Sequence, residues 1–177
     1  MHRKIYSITL VTALCASFAL AVQQPPEWVK VASTEGRFTA VMPSTPEKGV
    51  RDVDTAVGKL QLHSFGSSNS TGQYMLSYAD YPNEPTAAQQ EPVLDGVRGG
   101  VLKGLKAELV TETRVTLKGY PGRELRAVKV TEGNEVVFSW KMFLVGKRLY
   151  QMGVVTTKAD SQSPDIQKFF TSFQLVN

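Results

Sequence analysis

Alternation of apolar and polar positions predicts most of the regular structure in this chain. The clearest case is the segment 135–145, where every second residue is large and apolar: Val136, Phe138, Trp140, Met142 and Leu144. A period of two residues is typical of a strand with one buried face. Similar patterns predict strands over 37–42, 48–54, 59–65, 73–81, 108–118, 123–131 and 148–156. Because most of them are joined by short turns, we expect a largely antiparallel sheet.

The segment around 94–105 carries apolar residues at helical spacing instead. Intervals of three and four residues separate Leu94, Val97, Val101 and Leu105, which predicts a helix with one apolar face. Three glycines recur beside that face at intervals of four: Gly96, Gly100 and Gly104. Each glycine costs a helix about 1 kcal/mol relative to alanine. We therefore expect this helix to lie unusually close to the sheet, and its charged residues argue against membrane association.

A second helix is predicted near the C terminus, where Ser163 suits the N-cap and Pro164 the first helical position. Its apolar stripe is formed by Ile166, Phe169, Phe170 and Phe173. The fold class is therefore α+β, with a largely antiparallel sheet of about six to eight strands covered by two helices. Helices on opposite faces would give an α/β/α sandwich, and helices on the same face are the alternative.

The first 21 residues have the features of a secretory signal peptide. The basic residues 2–4 precede an uncharged apolar stretch, and small residues at Ala19 and Ala21 place the cleavage after Ala21. A transmembrane anchor needs about 20 apolar residues, more than this stretch offers. A lipid anchor on Cys15 is disfavoured by the large Leu14 before it.

These features predict a signal peptide over 1–21, an N-terminal lead-in over 22–34 and a single α+β domain over 35–177. The mature protein is expected in the periplasm or outside the cell, with no stable membrane anchor after cleavage.

The charge balance is nearly neutral once the predicted leader is removed. The whole chain has 177 residues, with 20 Lys and Arg against 16 Asp and Glu. Cleavage removes Arg3 and Lys4, which leaves little reason to expect nucleic acid as a partner. It also removes Cys15, the only cysteine, so the mature chain suits an oxidising compartment without any disulfide.

Several short motifs resemble those of uncharacterised exported bacterial proteins. They are Glu35–Phe38 with Met42-Pro43, Tyr78–Pro82, Leu94–Arg98, Gly119–Glu124, Leu149-Tyr150 and the segment 169–173. Their order is similar to the PsbP-like and DcrB-like fold, in which a central antiparallel sheet lies between helices. The resemblance implies a non-catalytic accessory, binding or assembly role, and it brings no catalytic motif to this chain.

The residues that could carry chemistry match no complete motif. His63 is the only histidine of the predicted mature chain and lies on the polar face of a strand, where we expect it to be solvated. Asp52 and Asp54 lack the other ligands of a calcium loop. The spacing of Gly99 and Gly104 is that of a phosphate loop, but Leu105 stands where lysine is required. We therefore expect no catalytic residue, metal or cofactor.

Tyrosine and arginine are enriched at protein interfaces, which makes a small set of these residues the candidate site for a partner or ligand. The set is Tyr78, Tyr81, Arg98, Tyr120 and Arg123, and Tyr74 and Arg126 belong to the same wider group. In the alternative interpretation the tyrosines line the sheet margin and the arginines pair with Asp80, Glu112 or Glu124.

The leading hypothesis is an exported, non-catalytic binding or protein-interaction domain, whose partner is an envelope protein or a small ligand. The alternative is a hydrolase that acts on cell-envelope polymers through Asp80, Glu112 and Glu124. That chemistry needs two carboxyl groups about 5–10 Å apart in one cleft. A structural envelope protein joined through its sheet edges is a further alternative.

Overall fold

A computed structural model describes residues 28–55 and 57–176, so the predicted signal peptide lies outside the described residues. No helix within the described part combines the length and the hydropathy that crossing a bilayer requires. The described elements, in chain order, are β1 (Val29–Ser33), β2 (Phe38–Met42), β3 (Glu47–Thr55), β4 (Gly58–Ser68), β5 (Gly72–Asp80), α1 (Ala87–Leu105), β6 (Glu108–Leu117), β7 (Tyr120–Thr131), β8 (Asn134–Val145), β9 (Arg148–Thr157), α2 (Pro164–Ser172) and β10 (Gln174–Leu175).

Seven strands form one sheet in the order β3-β4-β5-β9-β8-β7-β6. Every neighbouring pair is antiparallel. The sheet consists of two meanders, β3 to β5 and β6 to β9, which meet where β5 pairs with β9. The polar strand β3 forms one edge, in agreement with its charged sequence, and β6 forms the other. The predicted antiparallel sheet and its strand number are confirmed.

A small second sheet of three strands has the order β1-β2-β10. The central strand β2 pairs with both neighbours, for example through Val29 opposite Met42 and Gln174 opposite Thr39. Strand β1 falls within the predicted lead-in 22–34, and its Val31 is buried in the core. The folded domain thus includes residues that precede position 35.

The two helices cover opposite faces of the large sheet. On β8, Trp140 and Met142 pack on the same side as Leu94 of α1. The next residue, Phe143, belongs to the core that contains Phe169 of α2 and the small sheet. Because successive residues of a strand point to opposite faces, this division of one strand between two cores confirms the α/β/α sandwich.

The glycines of α1 do not approach the sheet. Gly96, Gly100 and Gly104 are exposed, and a Cβ atom added at any of them would meet nothing within 4 Å. The expected role of these glycines is therefore wrong, because they lie on the solvent side of the helix. Close approach occurs instead at Gly153 of β9, where an added Cβ would lie 2.1 Å from Cζ3 of Trp140.

Candidate functional site

Arg123 of β7 is buried beneath α1 and surrounded by carboxylates. Its Nε donates a hydrogen bond to Oε1 of Glu112 at 3.0 Å, and its Nη atoms donate to the carboxylate of Glu91. Asp95 lies 3.6 Å from Nη2. Hydrogen bonds from Arg123 lower the pKa of the Glu91 carboxyl. The helix and the sheet are thus joined by charges that stay ionised at neutral pH.

Arg98 of α1 belongs to the same network. Its Nη1 lies 2.8 Å from Oε2 of Glu112 and 3.5 Å from Oδ1 of Asp95. Together with Arg114, which lies 3.2 Å from Glu91, these residues form what we call the α1 ion network: Glu91, Asp95, Arg98, Glu112, Arg114 and Arg123. Two predicted site residues, Arg98 and Arg123, are therefore neighbours, and both pair with Glu112 as in the alternative interpretation. The ion pairs of this network attach α1 to β6 and β7.

Tyr78 lies on the opposite face, between a histidine and an arginine. The imidazole of His63 stacks on its ring with centroids 4.6 Å apart, and Cζ of Arg148 lies 4.6 Å from the ring centroid. Strands β4 and β9 flank β5, so these two groups approach the ring from opposite sides. His63 is thus packed against an aromatic ring, with Glu35 3.8 Å away, rather than freely solvated. Burial, followed by the charge of Glu35, raises the pKa of Tyr78.

Arg148 holds Asp80 by two hydrogen bonds. Its Nε donates to Oδ1 at 2.6 Å and its Nη2 donates to Oδ2 at 2.7 Å. A further hydrogen bond of 2.6 Å runs from Nη1 to the carbonyl of Glu35. The sequence indicated Asp80 as an arginine partner but missed Arg148, because the pairing of β5 with β9 joins residues far apart in the chain.

The remaining predicted tyrosines lie elsewhere. Tyr81 packs against the core beneath α1, and burial raises its pKa. The turn between β6 and β7 is formed by Lys118 and Gly119, both with positive φ. Tyr120 follows it as the first residue of β7 and is 41% exposed. Since Tyr78 and the pair Arg98 and Arg123 lie on opposite faces, the five predicted residues do not converge on one site.

The carboxylates of the hydrolase hypothesis are also dispersed. Glu112 lies under α1, whereas Glu124 lies on the α2 side, 3.1 Å from Nζ of Lys141. Asp80 and Glu124 are separated by the strand order β5-β9-β8-β7, three strand spacings or about 14 Å. Each carboxylate is also held by a cation. This arrangement does not supply the shared cleft that a carboxylate pair requires.

A groove of about 420 Å³ lies between α2 and strands β6 to β8. We call it the α2 groove. Its floor is formed by side chains of the three strands, Thr111, Thr113, Glu124, Arg126 and Ser139. Its wall is formed by α2 and the turn before it, Ser161, Gln162, Ser163, Ile166, Gln167 and Phe170.

Arg126 is the half-buried cation of the α2 groove. Its Nη2 donates a hydrogen bond to Oγ of Ser161 at 3.2 Å. The same hydroxyl donates to the carbonyl of Lys158 at 2.8 Å, which leaves its lone pairs directed at Arg126. Within residues 28–55 and 57–176, no carboxylate lies within 4.0 Å of this guanidinium. Arg126 therefore differs from Arg98, Arg123 and Arg148, which all bind acids.

A second, shallower depression of about 630 Å³ is bordered by Met75, Leu105 and Trp140. Its charged lining residues, Glu47 and Lys48, come from the polar edge strand β3. In the described part of the chain, no three His, Cys, Asp or Glu side chains are grouped so that they could hold a metal ion. Of these two depressions, only the α2 groove is lined by an arginine.

No family model and no curated protein matches this chain. Its fold is similar to that of solved structures. The solution structure of the cyanobacterial PsbP protein CyanoP from Synechocystis sp. PCC 6803 matches with a TM-score of 0.59 and 13% identity, over 92% of this chain and 98% of that one. A crystal structure from Bacteroides thetaiotaomicron matches with a TM-score of 0.49 and 14% identity, over 84% of this chain and 48% of that one.

The similarity to CyanoP shows that this chain has a PsbP-like fold. At 13% identity it shows the fold alone, because unrelated functions share folds. The PsbP-like part of the resemblance seen in the sequence is thus confirmed. The DcrB-like part, and the relation to exported proteins, stay predictions.

Proposed function

We propose that this protein is an exported, non-catalytic binding domain whose α2 groove holds a small polar molecule of the cell envelope. The α2 groove is the observation on which the proposal rests. Its volume of about 420 Å³ falls in the range of small-molecule sites, about 300–1,000 Å³. Its lining combines hydroxyl and amide groups with one arginine and one aromatic ring, a mixture that suits recognition of a polar compound.

Two further observations support the proposal. The sequence predicts a leader cleaved after Ala21, which would deliver the protein to the periplasm or the medium. The carboxylates considered for catalysis are bound by cations, Asp80 by Arg148 and Glu112 by Arg123. A group engaged in this way is poorly placed to exchange a proton with a substrate. A binding domain needs no such group.

The export part is tested by cell fractionation and by the intact mass of the purified protein. We expect the protein outside the cytoplasm with Val22 as its first residue. A protein that stays in the cytoplasm and retains Met1 would contradict export, and a membrane-bound protein that retains Met1 would contradict the cleavage.

The binding part is tested by equilibrium dialysis of the exported protein against a low-molecular-mass extract of the cell envelope, read by mass spectrometry. Thr113 is exposed and lines the groove, so Thr113→Trp should obstruct it. Thr116 lies on the same strand and is also exposed, but it points to the other face, so Thr116→Trp is the matched control.

We expect a compound enriched by the wild type and by Thr116→Trp, and lost with Thr113→Trp. Equal enrichment by both variants, or none by the wild type, would contradict a binding role for the groove. Chemical conversion of the retained compound would instead favour the hydrolase alternative.

A further inference from the structure

We infer that the α2 groove selects monoanionic, hydroxyl-rich small molecules, a sugar acid being the simplest representative, and that Arg126 pairs with their carboxylate. This inference rests on the proposed function, because it names the ligand class of the same groove.

Arg126 uses few of its hydrogen-bond donors within the protein. A guanidinium has five N–H donors in a planar fork that fits a carboxylate. Within the described residues, Arg126 makes one hydrogen bond, to the neutral hydroxyl of Ser161. The half-buried position reduces its hydration, and a partly desolvated charge is costly unless it is paired. A ligand carboxylate would pair with the Arg126 guanidinium and accept its free N–H groups, as Glu112 does for Arg123.

The charge of the groove indicates how many negative charges the ligand carries. Glu124 lines the floor, and Nζ of Lys141 lies 3.1 Å from its carboxylate and 5.2 Å from the ring centroid of Phe170. Lys141 therefore offsets Glu124, and Arg126 remains as one excess positive charge. A single carboxylate matches this balance. A dianionic phosphate would bring a second negative charge close to Glu124.

The neutral lining indicates what else the ligand carries. Five side chains of the groove make no hydrogen bond within residues 28–55 and 57–176, and each offers both a donor and an acceptor. They are Thr111, Thr113, Ser139, Gln162 and Gln167. Hydroxyl groups are the ligand groups that can use donors and acceptors equally. Phe170 also lines the wall, but its side chain is only 6% exposed and belongs to the core, so recognition of the ligand depends on the polar side chains.

The test is an NMR titration of the isotope-labelled exported protein with four probes: sodium glucuronate, glucose, sodium acetate and glucose 6-phosphate. We expect saturable shifts from glucuronate at the amides of Arg126, Gln162 and Gln167. Glucose lacks the carboxylate and acetate lacks the hydroxyls, so each should bind about tenfold more weakly or worse. Glucose 6-phosphate should also bind more weakly than glucuronate.

Variants assign the effect to Arg126. Arg126→Gln should weaken glucuronate binding about tenfold and weaken glucose binding much less. Arg126→Lys keeps the positive charge but lacks the planar fork of donors, so its affinity for glucuronate should lie between those of the wild type and Arg126→Gln. Arg51→Gln is the matched control, because Arg51 is an exposed arginine on the edge strand β3. The dispersion of each spectrum reports that the variant is folded.

Two outcomes overturn the inference: no saturable glucuronate shift at the groove, or equal glucuronate binding by the wild type and Arg126→Gln. Tighter binding of glucose 6-phosphate overturns the single-charge argument. If the envelope extract yields a Thr113-sensitive compound while glucuronate does not bind, the ligand class is wrong and the binding function stands. If both experiments fail, the proposed function itself is wrong.

Discussion

Nε of Arg123 donates a hydrogen bond to Oε1 of Glu112 at 3.0 Å, directly beneath α1. The other oxygen of Glu112 accepts from Arg98 of α1 at 2.8 Å, so one carboxylate links the helix to two strands. In the part of α1 that the structure describes, only Leu94 is fully buried. Helix α2, by contrast, buries Ile166, Phe169 and Phe170. The two helices are therefore attached differently, α2 mainly by apolar burial and α1 to a large extent by charge.

This difference predicts a large effect of Arg123→Met. The methionine keeps the aliphatic volume but leaves Glu91 and Glu112 without their shared cation, so the free energy of unfolding should fall by about 2–3 kcal/mol. Urea denaturation measures it. Arg114→Met is the control, because Arg114 belongs to the same network but its side chain is 79% exposed, and exposed pairs contribute little. Equal losses in both variants would contradict the anchoring role of Arg123.

Two glycines should respond in opposite directions to alanine. Gly100 lies on the open side of α1, so Gly100→Ala should raise the free energy of unfolding by about 0.5–1 kcal/mol. At Gly153 the new Cβ would lie 2.1 Å from Cζ3 of Trp140, and Gly153→Ala should lower it by about 1–3 kcal/mol. Thermal and urea unfolding of the two variants measure both effects. A destabilised Gly100→Ala would show that the exposed side of α1 needs its glycines.

Local patterns were sufficient to predict the elements. The alternation around Trp140 predicts a strand over 135–145, and β8 spans Asn134–Val145. Ser163 was predicted as an N-cap, and its Oγ accepts a hydrogen bond from the amide of Asp165 at 3.3 Å. Both features depend on residues within a few positions of one another, which is the range over which periodicity and capping act.

The candidate site depends on relationships of longer range. Alternation shows that Arg123 and Arg126 point to opposite faces of one strand, but not which helix covers each face. Asp80 and Arg148 meet because β5 pairs with β9, a pairing across 68 residues. The apolar stripe of α1 correctly indicates which side of the helix packs on the sheet, but it does not show whether the glycines beside the stripe reach the sheet or the solvent. Which of the predicted residues lie together therefore depends on strand order and helix orientation, and neither can be read from the sequence pattern.

The pair Asp80 and Arg148 predicts a change of stability at acid pH. Hydrogen bonds from Arg148 lower the pKa of Asp80 below its usual 3.8. The stabilisation is therefore complete above that value and is lost as the pH falls through the lower pKa of the folded state. We expect Asp80→Asn to lower the unfolding temperature at neutral pH, with the difference from wild type narrowing as the pH falls below 3.8. Asp54→Asn, on the exposed edge strand, is the control. A difference that does not narrow as the pH falls would contradict the ion pair.

The burial of Tyr74 leads us to expect a loss of stability at alkaline pH. Its ring is 1% exposed, and its hydroxyl has no hydrogen-bond partner within the described residues. Burial, followed by the charge of Asp165, raises its pKa from 10.0 to about 12. Below about pH 10 the tyrosine is neutral in both states. Above it the unfolded chain ionises first, so the free energy of unfolding falls by about 2–3 kcal/mol toward pH 12.

Tyr74→Phe should abolish that part of the decline without loss at neutral pH, whereas Tyr120→Phe, at an exposed ring, should follow the wild type. Urea unfolding between about pH 9 and pH 12 measures all three proteins, and parallel curves for Tyr74→Phe and wild type would show that Tyr74 does not cause the decline.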